Sequence, residues 1–292
     1  MFFIIEKGKT ITMIIWLASY PKSGNTWVRA FINKLFFQEN FNLNALGRLI
    51  PQFPKTNNYQ GLLNNSSGLT EILKNSIRAQ EILNKDNKKR FLKTHSLLYN
   101  IGDDYFTDSK NTLGAIYIVR DPRNVFISTN YHFSHKDFEK TEQFFFNKHQ
   151  DVGRIFSKQG EDAALKVMIG TWQTHYNSWK RMNKNFLLIK YEDLLINPKI
   201  EFLKIGNYLN NLFKTNFTTE QIIESMNCTK FENLKKEEKI NMFSENPIVN
   251  RRQNKEFFRS GPNTNWRKKL PKKILVKIEK TFNKEMLELG YL

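Results

Sequence analysis

Pro21-Lys22-Ser23-Gly24-Asn25-Thr26-Trp27 joins an apolar run, Met13 to Ser19, to a segment with helical spacing, Thr26 to Phe37. A strand, a tight glycine turn and a helix N-terminus bring several backbone N–H groups and the positive end of the helix dipole to one point. Lys22 adds a full charge, Ser23 and Thr26 add hydroxyl donors, and Gly24 lets a ligand approach the backbone closely. This is chemistry for holding an anion. A helix terminus alone contributes about 0.3–1 kcal/mol when exposed, whereas micromolar affinity needs about 8 kcal/mol. About three to five charge-assisted hydrogen bonds, at about 1.5–3 kcal/mol each, make up the difference. The loop offers that many donors. The triphosphate-binding pattern G-x-x-x-x-G-K-[ST] is not met, because no glycine lies between Met13 and Ser23 and Lys22 precedes Gly24, which argues against an ordinary ATP or GTP loop.

Two further positions carry chemistry. Arg120 ends the apolar run Gly114 to Arg120, so its guanidinium stands at a strand end where it can grip a phosphate by two hydrogen bonds; the structural alternative is an ion pair with Asp121 or Glu192. His95 follows the short segment Arg90 to Thr94. An imidazole with a pKa of about 6.5 is mostly neutral at neutral pH and can take a proton from a hydroxyl, though read alone it is more often an ordinary half-buried histidine. His132, His135, His149 and His175 show no spacing typical of metal ligands, so no metal is expected; His132 and His135 read as a solvated helix end.

The elements that must position these groups are short. Met13 to Ser19, Gly114 to Arg120 and Phe186 to Tyr191 are nearly continuous apolar runs, the pattern of parallel strands covered on both faces, with Arg90 to Thr94 as a further strand. Each of the three runs leads into a helical pattern: Thr26 to Phe37, Pro122 to Phe133, and Pro198 to Leu209. Further helices are expected at Leu69 to Leu83, Asp162 to Met182 and Thr218 to Met226. A closing helix is expected from Pro271, with Ile274, Leu275, Ile278, Phe282 and Met286 on one face. Pro51 to Gly68 reads as a surface loop and residues 232–265 as irregular. The expected architecture is α/β: one three-layer domain, a central parallel sheet flanked by helices, P-loop-like, with its ligand beyond the carboxyl ends of the strands. Residues 1–12 are expected to be a tail or edge strand before a domain of 13–292.

Composition narrows the class. A chain of 292 residues with 40% hydrophobic residues can bury a sizeable core. The single cysteine, Cys228, excludes an intramolecular disulfide framework and suits a reducing compartment. No apolar run approaches the roughly 18 residues of a membrane span, and Glu6, Lys7 and Lys9 interrupt the start where a signal peptide needs an apolar core, so the expectation is a cytoplasmic protein. The net charge of +18 points to an acidic partner or substrate.

YPKSGNTW at Tyr20 to Trp27 resembles the 5′-phosphosulfate loop of the sulfotransferase family, whose donor is 3′-phosphoadenosine 5′-phosphosulfate (PAPS) and whose product is adenosine 3′,5′-bisphosphate (PAP). Further segments are similar to the family's landmarks in order: FLKTHS (Phe91 to Ser96), YIVRDPRNVFISTNYHF (Tyr117 to Phe133), Gly170 to Pro198, CTKFENL (Cys228 to Leu234) and FFRSGPNTNW (Phe257 to Trp266). Together they cover residues 13–290. The resemblance implies that Lys22, Ser23, Gly24, Asn25 and Thr26 hold the phosphosulfate and that Lys93 and His95 stand beside the reacting sulfur. It implies Arg120 and Ser128 on the 3′-phosphate, Trp27 and Tyr191 at the adenine, and Thr229 and Phe231 at the nucleoside. Arg259, Ser260 and Gly261 would belong to a segment closing over the 3′-phosphate. Ser260 stands where the family often has a lysine, which leaves Arg251, Arg252 or Lys255 to supply that charge. Asn25 and Lys230 also depart from the common residues, and the C-terminal dimer motif of many animal members is absent, leaving the oligomeric state open.

The expectation is metal-independent transfer of a sulfuryl group from PAPS to an acceptor hydroxyl of a small molecule or glycan, with His95 as general base and catalytic roles for Lys22 and Lys93. Residues 36–70 and 134–160 would supply the acceptor pocket. Two rival readings use the same residues. A basic nucleic-acid-binding protein would show binding that falls steeply with salt. A P-loop-like ATP-dependent kinase would need Mg²⁺-holding side chains, of which the sequence shows no clear set.

Overall fold

Four parallel strands form a central sheet: β1 (Ile14–Ser19), β2 (Arg90–Thr94), β3 (Thr112–Val119) and β4 (Phe186–Lys190), in the order β2-β1-β3-β4. They belong to a computed structural model that describes residues 14–37, 42–64, 66–155, 162–182, 185–246, 252–259 and 265–292; the expected tail at 1–12 lies outside them. Ile14, Trp16 and Ala18 of β1 enter one core cluster, and Ile15 and Leu17 enter a second on the other face. In β3, Ala115, Tyr117 and Val119 oppose Ile116 and Ile118 in the same way. Side chains alternate with a period of two, so a strand covered on both faces must be apolar throughout.

The flanking helices are α1 (Asn25–Phe37), α2 (Pro122–His132), α3 (Trp172–Lys180), α4 (Pro198–Phe213), α5 (Thr219–Cys228) and α6 (Phe231–Asn241). On one face, Val28, Phe31, Ile32 and Leu35 of α1 pack with Phe202, Ile205 and Leu209 of α4 and Ile222 of α5. On the other, Trp172, Tyr176 and Trp179 of α3 share a cluster with Ile274, Ile278, Phe282 and Met286 near the C-terminus. The result is three layers. The chain passes from β1 to β2 on one side, and β3 lies on the other, so the connections leaving β1 and β3 diverge and open a crevice at their carboxyl ends.

Several elements differ from the sequence reading. The helix expected over Asp162 to Met182 is confined to Trp172–Lys180. Gly170 has φ +58° and Thr171 caps the helix by accepting from the Thr174 N–H, while Val167–Met168 pairs as a strand with Asp151–Val152. Residues 232–241, read as irregular, lie in α6, whose buried positions Leu234 and Glu238 give little apolar signal. Leu69 to Leu83 is broken at Asn75 into Leu69–Lys74 and Ser76–Asn84. The closing segment likewise divides into Lys272–Thr281 and Asn283–Glu288, with Phe282 between them. The aromatic run 138–146 packs on or into the core through Phe138, Phe144, Phe145 and Phe146.

Candidate active site

The crevice is a cavity of about 630 Å³ at the carboxyl edge of the sheet. It is built from the loop after β1, the ends of β2 and β3, the residue after β4, and the segment 256–259. The loop turns on two residues with positive φ, Lys22 (69°) and Gly24 (101°). A Cβ on Gly24 would stand 2.4 Å from Cδ2 of Tyr191, so the position needs glycine for space as well as for conformation. Helix α1 then starts at Asn25, with its first N–H groups at the cavity.

Of the residues singled out in the sequence, Lys22, Gly24, Asn25, Thr26, Trp27, Lys93, His95, Arg120, Ser128, Tyr191, Phe231 and Arg259 line this one cavity. Asn25 lines it with its side chain turned inward: the amide nitrogen donates to Leu17 O at 2.9 Å and to Ser19 Oγ at 3.3 Å. Ser23 is buried in the loop. Thr229 is fully buried and its hydroxyl donates to Ser225 O at 2.8 Å, away from the cavity. Ser260 and Gly261 lie outside the described residues. Among the described residues, Val152, Asn44, Gly47, Arg48, Gln52 and Lys55 are the contributions of 36–70 and 134–160 to the wall.

Arg120 does not form the ion pair that was its structural alternative. Asp121 is engaged by Arg123 at 2.8 Å, and Glu192 accepts from the Asp121 N–H at 3.1 Å and the Tyr291 hydroxyl at 2.9 Å. Arg120 instead lies over the Tyr191 ring, 4.3 Å from its centroid, and donates through Nη1 to Lys22 O at 3.1 Å. Its Nε, with Ser23 Oγ and Trp27 Nε1, is buried and has no hydrogen-bond partner among the described residues. Unpartnered buried donors at the mouth of a cationic loop are what an anionic, ring-bearing ligand would satisfy.

His95 is held from behind. Its Nδ1 lies 2.7 Å from Ser19 O; a carbonyl only accepts, so Nδ1 carries the proton and Nε2 keeps its lone pair. The His95 carbonyl accepts from His175 Nε2 at 3.1 Å, and His175 Nδ1 accepts from the Tyr117 hydroxyl at 2.8 Å. Burial, then the charge of Lys93, holds the His95 pKa well below its ordinary value, so the ring is neutral at pH 7.

Burial, followed by the neighbouring charges of Arg120 and Lys93, lowers Lys22 to about 7. Its Nζ lies 3.3 Å from His132 Nδ1 and 4.2 Å from the centroid of the Phe257 ring. Burial, then Lys22, takes His132 down to about 2, which makes it a neutral acceptor for that ammonium group. The half-buried His132 is thus part of the site, not the solvated helix end expected from its spacing. Segment 256–259 is tied down by Glu238 of α6, which accepts from the N–H groups of Phe257 (2.6 Å) and Phe258 (2.8 Å). Arg259 covers the Tyr131 ring at 3.9 Å.

The sequence reading missed the partner of Lys93. Glu245 lies 3.5 Å from Lys93 Nζ and accepts two bonds of 2.8 Å from Arg29, whose side chain is fully buried and also donates to Ile50 O at 2.9 Å. Burial would raise the Glu245 pKa, yet the charges of Lys93 and Arg29 hold it below the usual carboxylate range. Burial lowers Lys93 more than Glu245 raises it.

Residues 14–290 match the family model described as the sulfotransferase domain. A luciferin sulfotransferase of Photinus pyralis is 24% identical over 290 residues, covering 93% of this chain and 71% of that protein. Sulfotransferase 1 family member D1 of Rattus norvegicus is 23% identical over 289 residues, covering 94% of this chain and 83% of that protein. Among solved structures, a retinol dehydratase in complex with androsterone and the inactive cofactor PAP superposes with a TM-score of 0.59 at 19% identity, covering 94% of this chain and 80% of that one.

Proposed function

The chain belongs to the sulfotransferase family, and from that premise we propose that it moves a sulfuryl group from PAPS to an acceptor hydroxyl with His95 as general base. The observation that carries the reading is the meeting, in one cavity, of the cationic loop with its unpartnered buried donors and the lone pair of His95 Nε2. PAP in the similar solved structure supports the choice of nucleotide.

In this reading the N–H groups from Gly24 to Trp27, with Ser23 and Thr26, hold the 5′-phosphosulfate, and Asn25 contributes through its backbone alone. Arg120, Ser128 and Arg259 hold the 3′-phosphate. Lys255, whose ammonium group is 5.4 Å from the same Tyr131 ring that Arg259 covers, supplies the charge that Ser260 lacks. Trp27, Tyr191 and Phe231 flank the adenine. The donor brings an activated sulfur; the protein brings position and charge. His95 Nε2 takes the hydroxyl proton as the acceptor oxygen bonds to sulfur. Lys22 neutralises the bridging oxygen as its bond to sulfur breaks, and Lys93 binds the oxygens of the group in transit. An anion beside His95 raises its depressed pKa, which strengthens the base at the moment it is needed.

The test is His95→Ala with ³⁵S-labelled PAPS and a panel of phenols, alcohols and saccharides. Turnover falls by about 10²–10⁴-fold, the range for a lost general base, while calorimetric PAP affinity stays within about threefold. Unchanged turnover removes His95 from the mechanism.

A further inference from the structure

The wall of the cavity on the β2 side carries cationic and amide side chains where an apolar acceptor would need apolar surface. Gln52 is bridged in parallel register to Lys93, with Lys93 N–H donating to Pro51 O at 2.9 Å and Phe53 N–H donating to Lys93 O at 2.8 Å. An acceptor whose hydroxyl reaches Lys93 and His95 therefore lies against Gln52. The neighbouring Lys55 is paired with Asp162 at 2.8 Å. Arg48 and Gln52 have no side-chain hydrogen bond or ion pair among the described residues, although both line the cavity. The aliphatic side chains on that side, Val152 and Ala164, are small, and Phe138, Phe144, Phe145 and Phe146 pack on the core, which leaves aromatic lining to residues such as Phe133 just after α2. Among the described residues, six cationic side chains line the cavity against two carboxylates, Glu245 and Glu256.

We infer that the acceptor is an acidic saccharide, its carboxylate or sulfate bound by Arg48 and its ring hydroxyls by Gln52. This rests on the transferase reading above. A flat apolar alcohol would gain little here, because apolar burial scales with the apolar area covered and the donors of Arg48 and Gln52 would lose water without a replacement. A carboxylate accepts charge-assisted bonds from the guanidinium, and hydroxyls match the two-sided hydrogen bonding of an amide.

The experiment compares p-nitrophenyl β-D-glucuronide, p-nitrophenyl β-D-glucoside and 2-naphthol as ligands of the PAP-loaded protein by calorimetry, and as acceptors of labelled sulfuryl. The two glycosides differ by one carboxylate. The glucuronide binds at least tenfold tighter than the glucoside and is the better acceptor, and Arg48→Glu removes that preference without changing PAP affinity. A glucuronide that binds no tighter than the glucoside, absence of binding included, overturns the inference, as does tighter binding of 2-naphthol or a preference that survives Arg48→Glu. PAP binding measured in the same cell separates this failure from failure of the transferase reading.

Discussion

Replacing Glu245 by Gln keeps its shape and removes one charge from the Arg29–Glu245–Lys93 cluster. Arg29 is fully buried and would keep only neutral acceptors among the described residues, Ile50 O and the new amide oxygen, in place of a carboxylate, while the Glu245 side chain is 29% exposed. Removing one partner of a buried ion pair costs about 3–5 kcal/mol; partial solvation of Glu245 brings the expected cost below that range, to about 2–3 kcal/mol. At about 2–4 °C per kcal/mol, the melting temperature drops by about 4–12 °C. Adding Arg29→Met, which removes the fully buried guanidinium, recovers the part of that loss owed to the Arg29–Glu245 pair, because an ion pair exchanged whole for uncharged groups is close to neutral; Lys93 still lacks its carboxylate. The wild-type pair stabilises the fold above the unfolded carboxylate pKa of about 4.3, since the folded pKa is depressed, and this contribution is lost on acidification below that value. Lys93 also loses its carboxylate, so its pKa, already lowered by burial, falls further and the basic limb of the kcat profile moves to lower pH. Urea unfolding of the four proteins of the cycle, with kcat against pH, measures both effects. A cost below about 0.5 kcal/mol for Glu245→Gln, or a double variant no more stable than the single, refutes the reasoning.

Gly24→Ala forces a side chain into φ +101° and places its Cβ 2.4 Å from the Tyr191 ring. Backbone strain of about 1–2 kcal/mol, together with displacement of that ring from Arg120, weakens PAP binding at least tenfold by calorimetry, and unaltered affinity removes the close approach from the account. Lys22 sits at about 7 in the cavity, and a bound phosphate raises it. PAP affinity is therefore highest below pH 7 and falls as pH rises, by at most about tenfold per unit, until the raised pKa of the complex is passed. Calorimetry at pH 8 in buffers of different ionisation heat reads an uptake approaching one proton; no uptake contradicts this assignment.

The loop, α1 and the end of β3 were legible because each is a local signal: a continuous apolar strand, a glycine turn, a helix entry and a guanidinium at a strand end. Lys93, His95 and Tyr191 were placed by resemblance, and they line the same cavity. The Arg29–Glu245 pair was not legible, since its members are 216 residues apart and each looks like an ordinary polar residue in its own segment. Helix α6 has little signal in the sequence because its inward residue Glu238 is polar, and the reason for its burial, the N–H groups of Phe257 and Phe258, lies in another segment. The helix expected from Asp162 is shorter because Gly170 and the Thr171 cap, not the apolar spacing, set where α3 begins. The aromatics of 138–146 had no pattern separating a core from a pocket lining; packing against Phe126 and Phe282 decided it.

Calorimetric titration of the full chain with PAP, beside AMP as the nucleotide lacking the 3′-phosphate, tests the central claim most directly. PAP binds with a Kd in the micromolar range, about −8 kcal/mol, AMP binds at least tenfold more weakly, and Arg120→Ala narrows the difference. No heat with PAP, or equal affinities for the two nucleotides, contradicts the claim that this cavity holds the bisphosphate of a sulfuryl donor.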